Sequence, residues 1–310
     1  MRDTMRSRIV TVIIALVALA ALIGCDGGGG GGGGGKYNLY DPYYGSEGLA
    51  ISYLDSAPPD VLYDGTDFKV GLLVHNKGAK DVGDAVVSVS TLDKYFAIPN
   101  NPAKSVSVKA KSFFRRSGEK KPLFLSGSVR DGSVDYDGLT VPLITTVCYS
   151  YTTHVEENLC IDPDIYNLDE RQKACAVRDL VLQDQGAPVA VTRVEESIIE
   201  DDGALDVYLK AHIRNLAGGL VANAPPATLC GSGSLGEKQV DRLKVSGKLG
   251  TIPLTCGVNG IVRMDAGEAD ITCTARLTAK EEYTTTLTMD ITYGYSSTLP
   301  QKTVTLHQTP

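Results

Sequence analysis

Residues Val70–Val82 read VGLLVHNKGAKDV, and residues Leu209–Val221 read LKAHIRNLAGGLV. The two stretches align without a gap, at a shift of 139 positions, so that Asn76 meets Asn215 and Val82 meets Val221. Apolar residues alternate through both. Phe68, Val70, Leu72 and Val74 share one face of the first, and Leu205, Val207, Leu209, Ala211 and Ile213 share one face of the second. A period of two marks a half-buried strand. Each strand ends at an Asn followed by small residues, which tolerate a tight turn, and a new strand resumes at Val.

A second pair of segments agrees with the first. PLITTVCYSYTT (Pro142–Thr153) matches TLTMDITYGYSS (Thr286–Ser297) at a shift of 144, which brings Tyr149 and Tyr151 onto Tyr293 and Tyr295. Two matches with nearly the same shift predict a tandem repeat. Turn signals break both halves at short intervals: Pro58-Pro59, Asp64-Gly65, Asp131-Gly132, Asp202-Gly203 and Asn259-Gly260. No long stripe of period 3.6 is present. One helical turn is expected at Leu168–Cys175, capped by Asn167. The fold class is therefore all-β, as two tandem immunoglobulin-like β-sandwich domains.

The N-terminus gives an address. Arg2, Arg6 and Arg8 precede an apolar run, Ile9–Ile23, of the length of a signal-peptide core and shorter than a membrane span. Leu22-Ile23-Gly24 leads into Cys25, the pattern of a lipobox, so Cys25 is expected to carry the lipid that holds the protein on a membrane. Asp26 and the glycines Gly27–Gly35 follow. Polyglycine has no side chain to bury and a high entropic cost of ordering, so it reads as a tether. The expected organisation is a signal peptide (1–24), lipidated Cys and Gly linker (25–36), a first sandwich (37–161), a disulfide-pinned hinge (162–186) and a second sandwich (187–310).

Of seven cysteines, Cys25 is the lipid site. Cys148, Cys160, Cys175, Cys230, Cys256 and Cys273 remain, an even number that predicts disulfides in an exported chain. Cys148 falls at the position of Thr292, on the outward face of its strand, and is expected to pair with Cys160 or Cys175. Cys256 and Cys273 both lie in the apolar phase of their strands and are expected to pair with each other. Cys230 would then take the remaining hinge cysteine, with Cys256 as its alternative partner. The four histidines are scattered and no C-x-x-C occurs, which disfavours zinc.

The net charge is −7, and no basic window supplies the face that nucleic acid requires. No nucleophile–base pattern, metal-protease motif or phosphate loop occurs, so no catalytic residue is assigned. His212 falls on the polar face of its strand, and Glu195, Glu196, Glu200, Asp201 and Asp202 read as a solvated run around a hairpin. Asp162, Asp164, Asp169 and Glu170 form an oxygen-rich cluster, a weak candidate for Ca²⁺, which takes six to eight oxygens. Otherwise no cofactor is expected. Tyr37, Tyr40, Tyr43 and Tyr44, just beyond the tether, form a candidate docking patch for a surface protein or glycan.

The CYSY…CIDPD…C run (Cys148–Cys175), GAPVAVTRVE (Gly186–Glu195), YGYSS (Tyr293–Ser297) and the Cys-polyglycine start together resemble uncharacterised archaeal cell-surface lipoproteins. VHNKGAKDV resembles the cell-adhesion-related β-sandwich domains of surface proteins. The resemblance implies a sandwich fold and an adhesion or scaffolding role, and lends no functional residues. The expectation is a membrane-anchored extracytoplasmic structural or binding protein and not an enzyme. An enzyme acting on envelope polymers and the solute-binding lipoprotein of a transporter are the alternatives.

Overall fold

In the computed structural model, residues 41–98, 103–166, 172–231 and 235–309 are described. The first half of the chain forms β1 (Leu49–Tyr53), β2 (Val61–Tyr63), β3 (Asp67–Asn76), β4 (Val82–Ser90), β5 (Phe96–Ala97), β6 (Ala103–Val108), β7 (Lys120–Val129) and the long β8 (Leu139–Ile161). The second forms β9 (Leu180–Val181), β10 (Val189–Asp201), β11 (Ala204–Asn215), β12 (Leu220–Ala222), the short helix α1 (Pro226–Leu229) and β13 (Arg242–Leu249). It ends with β14 (Ile252–Pro253), β15 (Thr255–Cys256), β16 (Ile261–Arg263), β17 (Glu268–Leu277), β18 (Tyr283–Thr298) and β19 (Lys302–His307). The expected all-β class holds. Residues 172–175, the described part of the expected helical turn, are irregular.

Alternation carries through to burial. Phe68, Val70, Leu72 and Val74 are buried on β3, and Leu205, Val207, Leu209, Ala211 and Ile213 on β11. The turn dipeptides behave as their chemistry dictates. Asp202 and Gly203 both have positive φ and join β10 directly to β11, the geometry of a two-residue hairpin.

Three sheets follow. β1-β3-β7-β5 belongs to the first half, and β15-β17-β11-β10-β9 to the second. The third, ordered β14-β13-β18-β8-β19-β2, is shared by both. Its centre is the antiparallel ribbon of β8 and β18, in register from Ile161↔Tyr283 to Thr146↔Thr298. Ser150 pairs with Gly294, and these are also equivalent positions in the sequence repeat. Antiparallel pairing of two equivalent strands makes a local two-fold arrangement, centred on that pair. Tyr149, Tyr151, Tyr293 and Tyr295 surround it, all buried, with neighbouring ring centroids 5.6–6.3 Å apart.

The halves are therefore not separate beads on a hinge. The described residues form one compact unit. β8 crosses from one half to pair with β18 of the other, and β19 returns to pair with β8 and, in parallel, with β2. β8 lies in the expected first sandwich (37–161) and β18 in the expected second (187–310), so the two share this sheet. Sequence periodicity reports which residues face inward. It does not report which edge a strand joins.

The disulfides are Cys148–Cys230, Cys160–Cys175 and Cys256–Cys273. Cys256 faces Cys273 across β15 and β17, as expected. The other two pairings differ from expectation. Cys148 is fully buried, so something does cover its face. The cover is the segment of α1 and Cys230, reaching across from the second half. Gly294 admits it: a Cβ there would collide with the Ala224 carbonyl and the Leu229 side chain. Cys160 and Cys175 instead close the segment after β8 on itself. Three disulfides point to an oxidising, extracytoplasmic environment. Among the described residues, no helix is long and apolar enough to cross a membrane.

Candidate functional site

The surface around the N-terminal entry of the fold is built by a bonding unit that occurs twice. In the first half, Asn76 ends β3 and donates from Nδ2 to the carbonyls of Lys80 (2.9 Å) and Val108 (3.0 Å), while its Oδ1 accepts from the Gly78 N–H (2.9 Å). In the second, Asn215 ends β11, donates to the Gly219 carbonyl (2.6 Å) and accepts from the Gly218 N–H (3.1 Å). Each loop is then pinned to the central ribbon. Lys80 N–H donates to the Tyr151 hydroxyl (3.2 Å), and Gly219 N–H to the Tyr295 hydroxyl (2.6 Å). The two aligned segments of sequence thus meet in space in the same way in both halves. Tyr149 bonds the backbone of Leu49, and Val189 N–H donates to Tyr293, again at equivalent strands. Burial raises the hydroxyl pKa of all four tyrosines, that of Tyr151 to about 12, so they act as neutral hydrogen-bonding groups.

Tyr151 also donates to the carbonyl of Gly186 (2.6 Å), and Ala79 N–H donates to the same oxygen (2.8 Å). This brings residues 183–186 beside β8 and opens two adjoining grooves. One, of about 380 Å³, is lined by Asp41, Tyr43, His154, Glu156, Glu157 and Asp184, among others. The other, of about 350 Å³, shares Tyr43, His154 and Gln185 and reaches Lys80 and Tyr151. Tyr43 is 53% exposed and Tyr44 66%. A ring face, several carboxylates and an amide suit a hydroxyl-rich ligand. Of the expected tyrosine patch, Tyr43 lines both grooves and Tyr44 stands next to it; Tyr37 and Tyr40 lie outside the described residues, as does Cys25.

Of the expected acidic cluster, Asp162 and Asp164 are among the described residues. Asp162 is buried and accepts from Lys173 Nζ at 2.7 Å and from the Asp164 N–H at 2.9 Å. Asp164 lies 3.9 Å from the same ammonium. Asp169 and Glu170 lie outside the described residues, and no group of metal-holding side chains occurs among the described ones.

The histidines are held by neighbours. His154 Nδ1 lies 2.8 Å from Asp290, its partner across the ribbon; His212 lies between Asp270 (2.8 Å) and Glu195 (3.0 Å); His307 lies 2.8 Å from Asp137; and His75 bonds the Ser117 carbonyl. Of the run read as solvated, Glu196 departs. It shares the inward face of β10 with Val194 and Ile198, and both carboxylate oxygens are shielded from water without a hydrogen-bond partner. Desolvation, and then the charge of Asp179, raise its pKa to about 7.

Sequence reasoning missed one feature. The connection from β6 to β7, residues 109–119, carries Phe113 and Phe114, 64% and 103% exposed. The signal was present: two of only five phenylalanines are adjacent, between bases, in KAKSFFRRSGEKK (Lys109–Lys121). The expectation of no basic window overlooks it: the six bases are local, and the net charge of −7 hides them.

No protein-family model matches the chain, and no curated protein is similar to it. Among solved structures, a DUF4466 family protein from Parabacteroides merdae ATCC 43184 aligns over 76% of this chain and 100% of its own, at 11% identity and a TM-score of 0.18. A likeness that slight carries no argument about fold or function.

Proposed function

We propose that this chain is a lipid-anchored extracytoplasmic structural or binding protein, made of two immunoglobulin-like halves fused through a shared sheet. The observation that carries the reading is the set of three disulfides in a chain whose N-terminus reads as signal peptide, lipid site and glycine tether. A stapled fold of this kind suits an oxidising surface and serves there as a rigid module. The Tyr43 groove lies at the start of the described fold, just beyond the tether, and is the place where a surface glycan or protein would dock. Its ring offers a stacking face, and Asp41, Glu156, Glu157 and Asp184 offer acceptors for hydroxyl or amine donors.

The anchor is tested on Cys25. Mass spectrometry of the mature protein is expected to find Cys25 at the N-terminus carrying a lipid mass, and Cys25→Ser is expected to release the chain from membranes. A serine variant that stays as firmly membrane-bound as the parent contradicts the reading.

A further inference from the structure

We propose that the loop Lys109–Glu119 is a second membrane contact, which inserts Phe113 and Phe114 among the headgroups of an anionic bilayer. Phe114 is fully exposed. Leaving so large an apolar group in water forgoes the free energy that burial would gain. The loop presents it in an ordered way. Ser112 and Arg115 exchange backbone bonds of 2.9 and 3.0 Å, Gly118 N–H donates to the Arg115 carbonyl (3.1 Å), and Glu119 N–H closes the base on the Lys109 carbonyl (3.1 Å). Gly118 has φ +76°, and a Cβ there would land on the Asn76 carbonyl oxygen, so the turn is locked against the Asn76 loop.

The flanking charge identifies the partner. Residues 109–121 hold six bases and one acid in a chain of net charge −7; Lys109 is paired with Asp81 and Lys111 is turned to the Tyr44 carbonyl, so Arg115 and Arg116 are the bases that follow the rings directly. Adjacent aromatic rings followed by two arginines suit the boundary between acyl chains and anionic headgroups, where rings bury and bases meet negative charge. Position supplies a second argument. Lys111 Nζ donates to the Tyr44 carbonyl, and Lys111 N–H donates to the Gly78 carbonyl at 3.0 Å. The root of the loop is thus bonded to the segment by which the chain enters the fold. A protein held to a membrane through residues before Asp41 would carry this loop close to that membrane. That part of the argument rests on the lipid-anchored reading. The exposed rings and bases do not.

The chain contains no tryptophan, so Phe114→Trp adds a single reporter. The full-length variant is reconstituted into vesicles of phosphatidylglycerol and, separately, phosphatidylcholine, each with and without brominated acyl chains. Flotation reads anchoring and the tryptophan reads insertion. The expected result is flotation, with blue-shifted emission and loss of most of the fluorescence to brominated chains in anionic vesicles. The loss is expected to fall with added salt and on Arg115→Glu. Tyr166→Trp is the control. It lies beyond Ile161, the end of β8 that is roughly 33 Å from Tyr151 at about 3.3 Å per residue, and its indole should stay in water. Flotation of the Phe114→Trp protein with its reporter unquenched overturns the insertion and leaves the anchor standing, while failure to float overturns both. Equal quenching in the Phe114→Trp and Tyr166→Trp proteins, or equal quenching in neutral vesicles, overturns a specific anionic contact. A blue shift without quenching by brominated lipid shows protein covering the rings, and also overturns it.

Discussion

Glu196 is the residue at which ordinary alternation carries a charge inward. Its neighbours on the same face of β10, Val194 and Ile198, are buried, and its own carboxylate finds no donor. The unfolded chain ionises this group near 4.5, whereas burial beside Asp179 raises the folded value to about 7. Between those values the folded chain holds the proton more tightly. The contribution to stability is therefore fully present below about pH 4.5 and is lost as pH rises through 7. Allowing for its partial exposure to water, the cost at pH 8 is about 1 kcal/mol. Glu196→Gln is expected to be about 1 kcal/mol more stable than the parent at pH 8, with the difference gone at pH 4. Denaturant melts at the two pH values measure it, and a difference independent of pH contradicts the assignment. In VEESIIEDDG (Val194–Gly203) Glu196 keeps the phase of Val194 and Ile198, but a glutamate among acids near a hairpin reads as solvated until the pleat is known.

At the scale of elements, the repeated unit of strand, Asn-ended loop and tyrosine ribbon organises the structure. The asparagines hold their loops from within, and the tyrosines pin those loops to β8 and β18. The unit is legible as an alignment of two short segments, but the bonds between segments are not, since sequence comparison sees each stretch alone. Because the unit occurs twice, substitutions at matching positions should have matching effects. Tyr151→Phe and Tyr295→Phe are each expected to cost about 1–2 kcal/mol, by leaving a loop N–H without its acceptor. Urea melts of the two variants and of their combination measure this. A loss confined to one of the two would show that the halves are not built alike.

For the whole molecule, sequence periodicity reads the all-β class, but not which strands of the two halves pair in one sheet. Its outward face for Cys148 holds in the sense that the cover comes from outside that residue's own half. The cover is the α1–Cys230 segment of the other half rather than the hinge, a contact across 82 positions that no local pattern encodes. The strand β19 makes the same point. It returns to β8 and β2 of the first half, so the C-terminal residues complete the N-terminal half. The Phe113-Phe114 pair is written plainly in the chain, and only its exposure gives it meaning.

Two halves joined at the Tyr149–Tyr295 ribbon are stapled across it by Cys148–Cys230. Disulfide mapping of the native protein, by non-reducing proteolysis and mass spectrometry after alkylation of free thiols, tests it most directly. The predicted peptides join Cys148 to Cys230, Cys160 to Cys175 and Cys256 to Cys273, with all six of these cysteines protected from the alkylating agent. Peptides joining Cys148 to Cys160 or Cys175, or alkylation of these six in the folded molecule, would contradict it.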